Sequence, residues 1–168
     1  FEKQISYLDS HNDCDLVGCN ALLINENSRL IGKKEVKSSF GFLDLIKKNE
    51  IIHSSVIFRN EFFNKVGFYD NSLVQGQDYD LWLRAGNKKL KMFNLSDNLI
   101  QFRYDTELIA RRKNGQKYEI EIKKKYLKGR KLWIAILPHI LVIVLPIFIL
   151  NYVLKLKILK HRGDLMQK

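Results

Sequence analysis

Between Leu132 and Leu154 the chain carries no charged residue. This run restricts the fold more than any other feature, because a helix rising about 1.5 Å per residue would cross about 30 Å of hydrocarbon over its length. A core helix is rarely so long and so apolar on every side. Pro138, His139, Pro146 and Asn151 interrupt the run, and its two prolines break the backbone hydrogen-bond ladder. Three arrangements remain open on the sequence: a kinked membrane span, a re-entrant or interfacial hairpin bent at the prolines, and a contact within a soluble protein. Trp133 and Tyr152 near its ends suit interfacial belts. The basic stretch Lys123–Lys131 just before the run implies that the preceding part lies on the cytoplasmic side of a cell membrane.

The remaining sequence can bury one core, since the chain has 168 residues and 46% hydrophobic content. A formal net charge of +11 attracts anionic partners. The basic residues crowd into Arg111–Lys131 and the tail Lys155–Lys168, which favours a membrane surface over a nucleic-acid groove. No nucleic-acid recognition motif accompanies them, so nucleic acid is not an expected partner. Cys14 and Cys19, four residues between them, match neither a zinc knuckle nor a redox pair and read as buried free thiols. Phe1-Glu2-Lys3-Gln4-Ile5 opens like the middle of a helix, as in the C-terminal part of a longer protein.

Phe1, Ile5 and Leu8 recur at helical spacing and predict an amphipathic helix ending near His11-Asn12-Asp13. Leu16–Ile24 has the length and apolar content of a strand, stops at the turn Asn25-Glu26-Asn27-Ser28, and can pair back through Arg29–Gly32. Phe42–Ile46 predicts a short helix and Ile51–Phe58 a second strand that begins around His53 and Ser54. Asn60 is a plausible N-cap for Glu61–Val66, with Gly67 just past its end. Leu90–Leu95 and Leu99–Tyr104 read as two short strands. Thr106–Tyr126 reads as a helix whose Glu119, Glu121 and Lys123–Lys125 form a solvated charged face.

The stretch Gly76-Gln77-Asp78-Tyr79-Asp80-Leu81-Trp82-Leu83-Arg84 looks like the mouth of a helix opening onto a site. On a helix, Asp78 and Asp80 diverge by about 200°, so they cannot share a metal ion or a proton. Asp80 has Arg84 at i+4, and a surface ion pair of a few tenths of a kcal/mol is expected. Asp78 falls in the first turn, where the macrodipole favours a carboxylate. Leu81 and Trp82 share its face and would set that carboxylate at a pocket wall. A general base must reach a substrate proton, so geometry decides its role. Periodicity alone also allows Asp78 to be a helix-terminal carboxylate with no chemistry.

Three ordered blocks, His53–Arg59, Phe63–Asp70 and Gln77–Arg84, resemble the second half of an inverting nucleotide-sugar glycosyltransferase of the GT-A type, bacterial family 2-like. The resemblance covers about Phe1–Tyr104. It implies an α/β chain, the C-terminal half of a Rossmann-like nucleotide-diphospho-sugar transferase fold with a C-terminal hydrophobic membrane helix. Residues 1–110 would be the acceptor-side part, 111–131 a basic helical connector, 132–154 a transmembrane or re-entrant segment, and 155–168 a basic tail. By the same resemblance Asp78 corresponds to the catalytic base of a Glu-Asp motif, with Gln77 standing where Glu is usual. His53, Gln77, Trp82 and Arg84 would bind the acceptor or support the site, and Arg59 and Arg84 suit phosphate or structural pairing.

The family's Asp-x-Asp motif holds Mn²⁺ or Mg²⁺ on the leaving diphosphate, and such a cation is expected for the full-length enzyme. Asp13-Cys14-Asp15 fits the letters but precedes its strand, so it reads as a loop, and no metal site is expected in this chain. A chain with the base and without the metal half is expected not to transfer sugar alone. Absence of Gln-x-x-Arg-Trp after Arg103 points to addition of a single sugar. The expected partners are a nucleoside-diphosphate sugar, a saccharide or lipid-linked acceptor, and the membrane, in building cell-surface polysaccharide. The alternative is a catalytically silent, membrane-attached interaction module of the same fold.

Overall fold

Eleven consecutive residues, Cys14–Ile24, form strand β1, and all of them but Leu22 are buried. Such a run is the signature of a strand covered on both faces. The structure is a computed structural model that describes residues 1–104, 106–150 and 152–153. It is mixed α/β and divides into two units, Phe1–Ala21 with Glu35–Ile100, and Leu22–Lys34 with Gln101–Lys168.

In the first unit, helix α1 (Glu2–Ser10) precedes β1. The expected apolar face of α1 is shifted, because Gln4 and Leu8 are buried while Phe1 and Ile5 are exposed. Gln4 is drawn inward by backbone carbonyls that need a donor, those of Val17 at 3.3 Å and Ser55 at 2.6 Å. Leu8, Cys14 and Val17 form a buried cluster against which Tyr7, Ile57 and Phe93 pack.

Strand β3 (Ser39–Phe40) and helix α2 (Phe42–Lys47) follow. His53–Ser55 is a 3₁₀ turn, so the expected strand Ile51–Phe58 contracts to β4 (Ile57–Phe58), antiparallel to β1 through Leu16↔Phe58 and Val17↔Ile57. Ladder pairing gives way there because Ser55 spends its hydroxyl on the Ile52 carbonyl at 2.8 Å and accepts the Cys19 N–H at 3.2 Å. Helix α3 (Phe62–Val66) is N-capped by Glu61 and not by Asn60, and Gly67 ends it at φ 79°. After a loop comes helix α4 (Gln77–Asn87).

The two short strands expected near Leu90–Tyr104 are one strand, β5 (Lys91–Arg103). It neighbours β1 and pairs antiparallel with β3 through Ser39↔Phe93 and Phe40↔Met92. Its polar middle is engaged from neighbouring elements, the Ser96 carbonyl accepting from Asn20 Nδ2 at 3.0 Å and Asp97 pairing with Lys3. Fully buried Asn94 donates to the carbonyls of Lys37 and Glu50, both at 2.8 Å, and fastens the connection 35–52. Gly18 lies beneath, where a Cβ would stand 2.3 Å from Asn94 Oδ1, so only glycine fits. Both cysteines are free and buried, as the sequence implies.

In the second unit, strand β2 (Leu30–Lys34) neighbours the end of β1, and Asn25 shapes the turn by accepting the N–H of Asn27 at 3.0 Å and of Arg29 at 2.9 Å. Arg103 donates to the carbonyls of Asn25 and Glu26, each at 2.8 Å, and holds that turn against the end of β5. Helices α5 (Thr106–Tyr126) and α6 (Gly129–Val144) form an antiparallel hairpin.

The charged face expected on α5 is only partly solvated, since Lys123 is buried and donates to the Ala135 carbonyl of α6 at 3.2 Å. The apolar run is also broken up. Helix α6 continues through Pro138 but stops at Val144, where Leu145 takes the extended conformation (φ −65°, ψ 137°) that the following Pro146 imposes. Its 16 residues extend about 24 Å. Among the described residues no helix is long and apolar enough to cross a membrane, so the expected C-terminal membrane-spanning helix is not supported. Asn151 and the stretch from Leu154 through the basic tail 155–168 lie outside the described residues.

Candidate active site

Gly76 turns the preceding loop into α4 with φ 83°, a left-handed conformation that costs glycine little, and its carbonyl accepts the Asp80 N–H at 2.9 Å. From Tyr79 to Leu83 every residue is buried, so α4 is covered on several sides. It is held close to α2: the Tyr79 hydroxyl donates to the Leu45 carbonyl at 2.8 Å, and a Cβ at Gly86 would meet the Phe42 Cα at 3.1 Å. Gln77 and Asp78 remain partly exposed at the N-terminal edge.

The two aspartates are divided by this geometry. Asp80 lies inside, its side chain 3% exposed, and accepts from Arg84 Nε at 2.9 Å. The surface ion pair expected there is therefore an interior one. Arg84 also donates to the carbonyls of Val66 and of Phe68, the latter at 2.8 Å, which braces the chain around Gly67. Gln77 donates to the Leu73 carbonyl at 2.6 Å and holds the loop that leads into α4. Among the described residues, the Asp78 carboxylate is in no ion pair or side-chain hydrogen bond.

His53 stands on the 3₁₀ turn instead of at a strand start, and the structure brings it to the same place. Its Nε2 lies 3.1 Å from the Tyr69 hydroxyl, and its ring meets those of Tyr69 and Trp82 edge-on, each centroid 6.0 Å away. Burial pushes the Tyr69 phenol above its ordinary pKa, and the Asp78 charge pushes it further in the same direction. Tyr69 thus touches His53 and lies within electrostatic reach of Asp78. The sequence blocks contain it, but a tyrosine in a loop carries no periodic signal, and only its position just before α4 hinted at a role.

Trp82 is fully buried behind His53, and its indole Nε1 has no acceptor among the described residues. Phe62 lies against it, ring centroids 6.3 Å apart. The site therefore has a rigid aromatic wall, a phenol–imidazole pair, and one uncommitted carboxylate. Such a set can accept a proton from a hydroxyl and orient it. Arg59, the other candidate cation, is used internally, donating to the carbonyls of Cys14 at 2.9 Å, Leu8 at 2.5 Å and His11 at 3.3 Å.

The carboxylates do not fit a metal. Asp15 lies within β1 and not before it, and accepts from Lys65 Nζ at 2.5 Å and from the Lys91 N–H at 3.0 Å. Asp13 pairs with Lys91, which holds its carboxyl below the ordinary range. Among the described residues no group of three or more His, Cys, Asp or Glu is placed to hold a metal ion. A cavity of about 470 Å³ opens elsewhere in the same unit, lined by Tyr7, His11, Asp13, Lys91 and Phe93 among others, and contains none of the Asp78 cluster.

No family model matches the chain. It is similar to the amylovoran biosynthesis glycosyltransferase AmsE of Erwinia amylovora, 30% identical over 76% of this chain and 48% of that protein. Similarity extends to the O-antigen biosynthesis glycosyltransferase WbnJ of Escherichia coli, 31% identical over 61% of this chain and 41% of that protein. It also extends to the uncharacterized glycosyltransferase MJ1057 of Methanocaldococcus jannaschii, 23% identical over 93% of this chain and 59% of that protein. The chain spans about half the length of the curated relatives it matches. What it is similar to is, in all three cases, a glycosyltransferase.

Proposed function

We propose that the chain is the acceptor-side part of a glycosyltransferase of GT-A fold that moves one sugar from a nucleoside-diphosphate donor to a saccharide or lipid-linked acceptor, with inversion. The observation that carries this reading is the division of labour at the start of α4: Asp80 is consumed by Arg84, while Asp78 is left uncommitted beside Tyr69. The names of two relatives, which refer to amylovoran and to O-antigen biosynthesis, support a role in cell-surface polysaccharide. Such a protein works at the cytoplasmic face of the cell membrane.

In the proposed reaction the Asp78 carboxylate takes the proton of an acceptor hydroxyl while that oxygen forms its bond to the anomeric carbon. The bond from that carbon to the diphosphate breaks on the opposite side, and the diphosphate leaves with the electron pair. His53 and Tyr69 hold the acceptor hydroxyl in line, and Trp82 keeps the His53 ring in place. Arg84 and Gln77 support the loop before α4 and do not touch the acceptor. The divalent cation that the resemblance implies finds no ligand set among the described residues, so no step is routed through it.

Asp78→Asn in the intact protein tests the assignment. Transfer is expected to fall by about 10²–10⁴, the range for loss of a general base, with donor binding by calorimetry unchanged. Turnover within a few-fold of the parent removes Asp78 from the mechanism.

A further inference from the structure

Helix α6 presents an exposed apolar surface in the second unit. Trp133, Ile134, Leu137, Leu141 and Val144 are between 54 and 73% exposed. Their spacing, i, i+1, i+4, i+8 and i+11, gathers them within about 100° of arc. The opposite side of α6 is taken up by α5, where Ile136 and His139 are buried and His139 meets Lys123 and Gln116. The stripe is therefore a free face of a helix whose other side already has a partner.

Its rim is basic. Lys128, Arg130 and Lys131 are exposed at the N-terminal end of the helix, and Arg130 falls within the same arc as the stripe. The combination of a wide apolar face, an indole at its edge and basic residues around it matches an anionic lipid surface. A second copy of the chain on this face would bring together two molecules of formal net charge +11 each. At about 24 Å, α6 falls short of the thickness of the hydrocarbon, and it ends at Val144 before Pro146.

We propose that α6 lies in the plane of an anionic phospholipid bilayer, with its stripe buried about 5–10 Å into the headgroup and acyl boundary. The docking is peripheral and independent of the transfer chemistry, so vesicle binding and turnover fail separately. Its energy comes from the apolar stripe, and its preference for anionic lipid from the basic rim.

Vesicle partitioning of the full chain tests it, with phosphatidylglycerol–phosphatidylcholine vesicles against phosphatidylcholine alone, read by co-sedimentation and by quenching of Trp133 emission with brominated acyl chains. Binding to the anionic vesicles is expected, with Trp133 quenched. Leu137→Asp with Leu141→Asp should reduce partitioning at least tenfold at unchanged circular dichroism. Arg130→Glu with Lys131→Glu should weaken it about fivefold or more per charge on anionic vesicles. Equal partitioning of the stripe variant overturns the proposal, as does absence of binding. Conversion of a solution dimer to monomer by the stripe variant, seen by sedimentation equilibrium without any vesicle binding, overturns it in favour of self-association.

Discussion

Helices α4 and α6 have nearly opposite relations between sequence and burial. Helix α4 carries two aspartates and an arginine, yet its residues from Tyr79 to Leu83 are all buried, Asp80 among them. Helix α6 has no charge after Lys131, yet only Ile136 and His139 are buried in it. What differs is the number of partners. Helix α4 is covered by α2 and α3 and satisfies its one buried acid with Arg84, whereas among the described residues α6 packs chiefly against α5 on one side. Apolar content indicates that a face can be buried. Whether it is depends on what the chain supplies to cover it.

The contrast is sharpest in the response to truncation. Trp82→Ala opens a cavity in a fully buried site and should lower stability by about 3–5 kcal/mol, measured by denaturant unfolding. Leu141→Ala, equally apolar by sequence, should change it by less than about 0.5 kcal/mol, because more than half of that side chain is already exposed. Equal losses at the two positions would mean that α6 is covered by something in solution, and the contrast would collapse.

A smaller effect separates the ways the two helices handle buried charge. Lys123 can only donate, so His139 Nε2 must accept from it, and the ring's proton sits on Nδ1 and goes to Gln116 Oε1 at 2.7 Å. Burial, and then the Lys123 charge, push His139 down to about 4, although Glu119 lies 3.6 Å from Nδ1 and favours the proton. Burial pushes Lys123 down to about 8, with Glu119 acting against it. The unfolded chain binds the histidine proton near its ordinary pKa and the folded chain does not. The histidine's contribution is therefore complete above about 6.5 and is lost as pH falls from there toward about 4. Unfolding followed by α5–α6 helicity across pH 7 to 4 checks this, and His139→Gln should flatten the slope.

Much of the frame was legible. The apolar run Leu16–Ile24 locates β1, and Gly67 and Gly76 mark helix ends because their positive φ values leave a readable residue type. What escaped was polar burial. Gln4 takes the inward place expected of Ile5, Asn94 is buried within β5, and Lys123 leaves the charged face, each because a distant carbonyl or ring nitrogen needs a donor. Long-range satisfaction of that kind has no period in the sequence. The same holds at the candidate site, where the spacing separated Asp78 from Asp80 but could not show that Asp80 is interior or that Tyr69 meets His53.

The pair of aspartates gives the most direct measurement. Asp78→Asn and Asp80→Asn are compared in one experiment, with sugar transfer and thermal unfolding recorded for each. Asp78→Asn is expected to lose transfer by about 10²–10⁴ and to keep its melting temperature. Asp80→Asn should lose about 2 kcal/mol of stability through the weakened Arg84 contact and, where folded, retain most of its turnover. The reverse pattern, with the catalytic loss at Asp80 and none at Asp78, would contradict this assignment.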